Sequence, residues 1–114
     1  MKRGEVWTVA GGADYAGKPR PAVVVQDDDF DRTASITICL FTRDPTEAPL
    51  FRIRVEASAE NGLRESSALM VDKITTVPRD KLGARIGRLE AGDIVRMNQA
   101  ILVFLGLARS QRAS

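Results

Sequence analysis

The chain has 114 residues, of which 44% are hydrophobic and 28% are charged. This size and composition are typical of one globular domain and exclude a disordered chain, so we assign residues 1–110 to a single domain and 111–114 to a tail. The formal net charge is only +2, so any affinity for nucleic acid has to come from local clusters of cations.

Two residue types that carry much enzyme chemistry are scarce. Histidine is absent, which excludes imidazole acid–base catalysis, and Cys39 is the only cysteine, which excludes an intrachain disulfide and a cysteine-based zinc site. We therefore expect no metal and no cofactor. The apolar stretches are shorter than the roughly 20 residues that span a bilayer. We expect a cytoplasmic protein without a membrane partner.

The first half of the chain predicts three strands. Residues 4–10 alternate between polar and apolar side chains, and residues 22–26 begin with four consecutive apolar residues. Between them, residues 11–17 contain three glycines, which predicts a flexible loop. Residues 35–42 alternate cleanly and predict a third strand that ends at Thr42.

The second half predicts two or three more strands and a helix. Residues 51–56 alternate, residues 68–77 read as one strand with the charged pair Asp72-Lys73 in its middle, and residues 84–86 form a short strand. From Ala91 the apolar residues recur every three or four positions, which predicts a helix closed near Gly106. The chain is therefore predicted to be mainly β, a small antiparallel barrel with a C-terminal α-helix.

Acidic residues cluster immediately after the second predicted strand, at Asp27, Asp28, Asp29 and Asp31. A calcium loop requires a glycine at its sixth position and a glutamate at its twelfth, and neither is present in this register. We interpret the cluster as a turn or a helix N-cap, where aspartate accepts hydrogen bonds from free backbone amides.

The segment 17–21 combines cations with rigidity. Pro19 and Pro21 flank Arg20 and restrict its backbone, so its guanidinium can be aimed from a stiff segment just before the strand. A guanidinium is always charged and its planar fork of donors suits phosphate oxygens. Lys18 adds a second cation, and we take both as candidate contacts to a phosphate-bearing substrate.

Four blocks of the chain, taken in order, resemble the MazF/PemK toxins. They are residues 2–7, residues 20–25, the strand that ends in Thr42, and residues 67–77. The resemblance implies an SH3-like barrel of the MazF/CcdB type and a homodimer. It also implies a sequence-specific, metal-independent endoribonuclease that cleaves single-stranded RNA and is neutralised by a cognate antitoxin of the MazE type.

The resemblance also implies roles for individual residues. Arg20 matches the family's catalytic arginine, and Thr42 matches its catalytic threonine. Asp14 lies where many members have an acidic residue in the first loop, and Asp72 matches an aspartate assigned to substrate handling in the Kid/PemK branch. Tyr15, in the same loop as Asp14, is a candidate for stacking on an unpaired base. The general base is left unassigned, with Asp14 as one candidate.

Two other function classes remain open. A CcdB-like gyrase inhibitor has the same fold, but it acts through a C-terminal Trp-Gly-Ile-type ending, and residues 109–114 of this chain contain no such sequence. A non-catalytic SH3-like interaction module is the other alternative. Met70 stands where the Kid branch has a second catalytic arginine, so we do not expect the Kid-type acid–base scheme.

Overall fold

A computed structural model describes residues 1–10, 18–48 and 50–109. In these ranges there are seven strands and one α-helix: β1 (Glu5–Val9), β2 (Arg20–Val24), β3 (Ser35–Thr42), β4 (Arg52–Val55), β5 (Ser67–Met70), β6 (Thr75–Pro78), β7 (Leu82–Arg88) and α1 (Ala91–Phe104). Short 3₁₀ turns cover Asp28–Phe30, Val71–Lys73 and Arg79–Lys81.

All the strands belong to one antiparallel sheet, in the order β4-β5-β3-β2-β1-β7, with β6 paired to β3. The predicted mainly β fold with a C-terminal helix is therefore confirmed. The predicted closed barrel is not confirmed, because β4 and β7 are not hydrogen-bonded to each other in the described part of the chain. The loop after β4 lies against β7 instead, and the Arg88 amide donates to the Glu60 carbonyl at 2.8 Å.

The prediction of one strand over residues 68–77 is wrong, because β5 and β6 are separated by the 3₁₀ turn Val71–Lys73. Both strands pair with β3. Leu69 pairs with Phe41 of β3, and Thr75 pairs with Ile38. A step of three residues along β3 therefore corresponds to a step of six residues along this segment. The turn takes up the three residues in excess, as a large bulge does, and it removes Asp72 from the ladder.

β2 starts two residues earlier than predicted. Arg20 is its first residue and pairs with Val9 of β1, and Pro21 pairs with Thr8. The fixed φ of proline lies within the range that extended backbone allows, so the Arg-Pro sequence can begin a strand. Arg20 therefore lies on the sheet itself rather than on a turn that precedes it.

β3 is buried on both faces, which places a core on each side of the sheet. Ile36 and Ile38 belong to one cluster, and Cys39 and Phe41 belong to the other. Helix α1 covers the second cluster with Met97 and its neighbours on the same face. Burial raises the pKa of the Cys39 thiol to about 12, so this cysteine is a core residue.

Helix α1 ends as the sequence predicts. Gly106 has φ of +77°, its amide donates to Val103 O at 3.1 Å, and the Leu107 amide donates to Leu102 O at 2.8 Å, the two bonds of a Schellman motif. Apolar residues continue past the buried part of the helix, and there they are exposed to solvent: Leu105 is 56% exposed and Leu107 is 72% exposed. Among the described helices, none has the length and apolar content needed to cross a membrane.

The acidic cluster serves as a cap. Asp27 precedes the 3₁₀ turn Asp28–Phe30, and its carboxylate accepts from the Asp29 amide at 2.9 Å. Asp28 accepts from the Arg3 amide at 2.7 Å, and Asp31 pairs with Lys2 at 3.0 Å. The interpretation of this cluster as a turn or an N-cap is confirmed, with Asp27 as the capping residue.

Gly87 allows the loop after β4 to approach β7 closely. A Cβ at Gly87 would lie 2.4 Å from Glu60 O, whereas a Cβ at Gly92 would meet no atom within 4 Å. We expect Gly87→Ala to lower the free energy of unfolding by about 2 kcal/mol or more, because backbone atoms cannot give way cheaply. Gly92→Ala, at the start of α1, should change it by less than about 1 kcal/mol. Urea denaturation of both variants checks this, and equal effects would contradict it.

Candidate active site

A cleft of about 930 Å³ lies where β2 begins and β3 ends. Its walls come from residues 18–21, 41–43 and 62–65 with Ser67, and Thr8 and Ile86 complete them. Three segments that are far apart in the chain thus meet at one end of the sheet. Lys18, Arg20 and Thr42, which the sequence singled out separately, all line this one cleft.

The register between β2 and β3 explains why Arg20 and Thr42 lie at the same end of the sheet. In the antiparallel ladder Ala22 lies opposite Leu40. The hydrogen-bonded pairs end there, while β2 begins at Arg20 and β3 ends at Thr42. The same register continued by two residues would set Arg20 opposite Thr42. Side chains two residues apart lie on the same face of a strand, so the guanidinium and the hydroxyl leave the sheet on the same side.

The Thr42 hydroxyl is oriented by the chain that follows it. Its oxygen accepts from the Asp44 amide at 3.1 Å, so the hydroxyl hydrogen can be donated to a ligand oxygen in the cleft. Asp44 is itself held by Thr46, whose amide and hydroxyl donate to its carboxylate at 2.9 and 2.7 Å and lower its pKa. These short-range bonds order the turn beside the cleft.

The cleft concentrates positive charge. Four cations line it, Lys18, Arg20, Arg43 and Arg64, and among the described lining residues Glu65 is the only anion. The resulting charge of +3 exceeds the +2 of the whole sequence, so the remaining charges of the protein nearly cancel. Such a cleft attracts a polyanion even though the overall charge is low.

A buried asparagine builds the third wall, which sequence reasoning missed. Asn61 has no exposed surface. Its Oδ1 accepts from the amides of Ser58 and Leu63 at 3.0 and 2.9 Å, and its Nδ2 donates to Glu56 O at 2.8 Å. Asn-Gly is a dipeptide that favours turns, and the preference of asparagine for bonding nearby backbone is the signal that could have identified this role.

Asp72 is not among the residues that line the cleft. Arg52 donates to both of its carboxylate oxygens, from Nε at 2.8 Å and from Nη2 at 3.1 Å. Of the charged pair Asp72-Lys73, the aspartate thus has Arg52 of β4 as its partner. The predicted contact between Asp72 and substrate stays a prediction, and this geometry does not support it.

Asp14 and Tyr15 lie outside the residues that the structure describes, so their predicted roles stay predictions. Met70, which replaces an arginine of the Kid branch, is 7% exposed and lies at the end of β5. Across residues 1–10, 18–48 and 50–109, no three His, Cys, Asp or Glu side chains are grouped so that they could hold a metal ion.

The fold and the cleft define a class: a small antiparallel β-protein with a C-terminal helix and a cationic cleft suited to a phosphodiester. Residues 2–105 match the family described as PemK-like, MazF-like toxin of type II toxin-antitoxin system. The chain therefore belongs to this family of toxins.

Similar proteins agree with this assignment. The chain is 53% identical over 108 residues to a probable endoribonuclease MazF of Mycolicibacterium smegmatis, covering 95% of this chain and 99% of the relative. It is 29% identical over 117 residues to endoribonuclease MazF9 of Mycobacterium tuberculosis, covering 94% and 98%.

Solved structures share the fold at lower sequence identity. An endoribonuclease from a mycobacterial species, solved in complex with its cognate antitoxin, superimposes with a TM-score of 0.80 at 21% identity, covering 96% of this chain and 99% of that one. A MazE-MazF structure from Deinococcus radiodurans gives 0.76 at 15% identity, covering 95% and 97%.

The pair of Asp72 and Arg52 makes stability depend on pH. Hydrogen bonding to Arg52 holds the pKa of Asp72 below its ordinary value. The stabilisation is therefore complete above the ordinary carboxyl range and is lost as the pH falls through the lower folded-state pKa. We expect Asp72→Asn to lower the free energy of unfolding by about 1–2 kcal/mol at pH 7. The difference from the parent should shrink in acid, and a difference that stays constant down to pH 2 would contradict the assignment.

Proposed function

We propose that this MazF-type toxin is an endoribonuclease that cleaves single-stranded RNA in the cleft between β2, β3 and the loop after β4. The observation that carries the proposal is that Arg20 and Thr42, from two different strands, line one cleft of net positive charge. The match to the toxin family and the 53% identical probable endoribonuclease support it.

The reaction we propose needs no nucleophile from the protein. The ribose 2′-oxygen attacks the adjacent phosphorus, forming one P–O bond while the bond from phosphorus to the 5′-oxygen breaks. The 2′ proton passes to a base, and a proton is delivered to the leaving 5′-oxygen. The products are a 2′,3′-cyclic phosphate and a 5′-hydroxyl. The protein has to position the phosphate, stabilise its developing charge and assist the two proton transfers.

Arg20 and Thr42 fit the phosphate in this reaction. The guanidinium of Arg20 binds the non-bridging oxygens, stabilises the added negative charge and assists protonation of the leaving oxygen. The Thr42 hydroxyl donates a hydrogen bond that orients the phosphate. An arginine is a poor base because its neutral form is scarce, so the base is a different group, with Asp14 as our candidate.

Lys18 and Arg64 belong to the same cationic lining as Arg20. We propose that they bind phosphates that flank the scissile one and hold the strand along the cleft. Tyr15 is proposed to stack on an unpaired base. Single-stranded RNA suits the site, because bases outside a duplex can reach a protein surface on their edges and faces.

The two alternative functions are less well supported. A gyrase inhibitor of the CcdB type does not require an arginine and a threonine in one cationic cleft, and the relatives described above are named an endoribonuclease and a probable endoribonuclease. A non-catalytic interaction module does not account for the same pair. A long RNA incubated with the purified protein in EDTA separates the three, because only the ribonuclease yields discrete fragments.

Substitution of the two central residues tests the proposal. We expect Arg20→Ala to lower the cleavage rate roughly 100-fold or more, and Thr42→Val, which keeps the shape but removes the hydroxyl, roughly 10-fold or more. Arg32→Ala removes an exposed arginine outside the cleft lining and serves as the control, with the parental rate expected. The measurement is the rate at which cyclic phosphate ends appear in EDTA. Parental rates for folded Arg20→Ala and Thr42→Val would refute the assignment.

We propose a cognate antitoxin of the MazE type as the protein partner and the cytoplasm as the location, where the RNA substrate is present. The family match supports the antitoxin, and complexes with antitoxins have been solved for structurally similar proteins. We also retain the SH3-like barrel as our interpretation of the fold. The direct connection of β6 to β7 by a 3₁₀ turn and the loop packed against β7 support it.

A homodimer is the remaining proposal. The exposed apolar residues at the end of α1 support it, because a second copy would remove them from water. We expect sedimentation equilibrium to give the mass of a dimer and Leu107→Asp to shift the protein toward the monomer. Ala34→Asp, at an exposed position before β3 and outside α1, makes the same change of charge and is the control. A parental protein that is monomeric at all concentrations would refute the proposal.

A further inference from the structure

An exposed ion pair lies in the same cleft as Arg20 and Thr42. Arg43 directly follows Thr42 at the end of β3, and Glu65 lies on the loop that Asn61 holds. Arg43 Nη1 contacts Glu65 Oε1 at 2.6 Å, and both residues line the cleft. The ion pair therefore joins two of the three walls of the cleft.

Stability does not explain this ion pair. Its side chains are 65% and 57% exposed, and ion pairs in water at such exposure contribute little to folding. RNA binding through phosphates does not explain it either, because Glu65 repels phosphates and its contact with Arg43 offsets a cation. A carboxylate in this position is suited to a ligand that donates hydrogen bonds.

The bases of RNA supply such donors. We propose that the Arg43–Glu65 ion pair recognises a guanine next to the scissile phosphate, an inference that rests on the proposed ribonuclease function. A guanidinium next to a carboxylate presents a donor followed by two acceptors. Cytosine presents the same order to guanine through its amino group, ring nitrogen and carbonyl oxygen.

Guanine is the base that complements this order. Its Watson–Crick edge carries the O6 acceptor, the N1 hydrogen and the N2 amino group in sequence. Arg43 donates to O6, and Glu65 accepts from N1 and N2 with its two oxygens. Adenine and uracil each place a donor or an acceptor where this pattern requires the opposite, and leaving such groups unpaired is costly. The ion pair is therefore a specificity determinant for the base.

Binding of modified RNAs tests this proposal. The probe is a short oligouridine with one central guanosine, and 2′-deoxy sugars prevent cleavage. We expect inosine, which lacks the N2 amino group, to bind the parent protein roughly 10-fold more weakly than guanosine. 7-Deazaguanosine, which differs from guanosine only in having a carbon in place of N7, should bind as well as guanosine. Fluorescence anisotropy measures both, and equal affinity for guanosine, inosine and adenosine would overturn the proposal.

Two substitutions assign the preference to the ion pair. Glu65→Gln should remove the discrimination between guanosine and inosine, and Arg43→Gln should weaken the discrimination between guanosine and adenosine. Asp31→Asn removes a carboxylate from the exposed ion pair with Lys2, outside the cleft, and should leave both preferences unchanged. Thermal unfolding of each variant verifies that it is folded.

Cleavage separates this inference from the proposed function. Mapping of fragment ends from a long RNA should give a guanine at a fixed position for the parent and a relaxed position for Glu65→Gln. An unchanged site pattern with a uniformly slower Glu65→Gln would overturn the proposal and identify Glu65 with proton transfer instead. If the parent does not cleave RNA, the proposed function fails, while the binding series still decides whether the cleft prefers guanine.

Discussion

The antiparallel register between β2 and β3 is the constraint on which the candidate site depends. Because Ala22 pairs with Leu40, the start of β2 at Arg20 and the end of β3 at Thr42 lie at the same end of the sheet. A shift of one residue would turn one of the two side chains to the opposite face. The cores on both faces of β3 oppose such a shift, since it would expose buried isoleucines to solvent. The packing of the sheet thus sets the geometry of the site.

Two irregular segments complete what the register begins. The 3₁₀ turn Val71–Lys73 takes up three residues that have no place opposite β3 and places Asp72 against Arg52, on elements that do not line the cleft. The loop held by the buried Asn61 brings Arg64 and Glu65 to the cleft and covers the gap between β4 and β7. The first segment therefore serves folding, and the second builds the site.

Charge is distributed unequally between the cleft and the rest of the protein. Acidic and basic residues elsewhere nearly cancel, often in exposed pairs that contribute little, such as that of Lys2 with Asp31. In the cleft the cations outnumber the single anion of the described lining, Glu65. A substrate with several phosphates gains from this concentration, while a carboxylate among the cations allows discrimination between bases. Affinity and specificity are thus assigned to different side chains of one surface.

The helix and the third strand from Ser35 to Thr42 could be predicted from the sequence, because alternation and capping are local signals. The family could be predicted from the order of four blocks of residues. The same resemblance also indicated Arg20 and Thr42. The separation of β5 from β6, the contact of Asp72 with Arg52 and the place of Glu65 in the same cleft as Thr42 were visible in the folded structure alone. The residues brought together in the last two cases are about 20 positions apart in the chain. The loops between them show no periodic pattern of apolar residues, so their partners are set by how the sheet and the loops pack together.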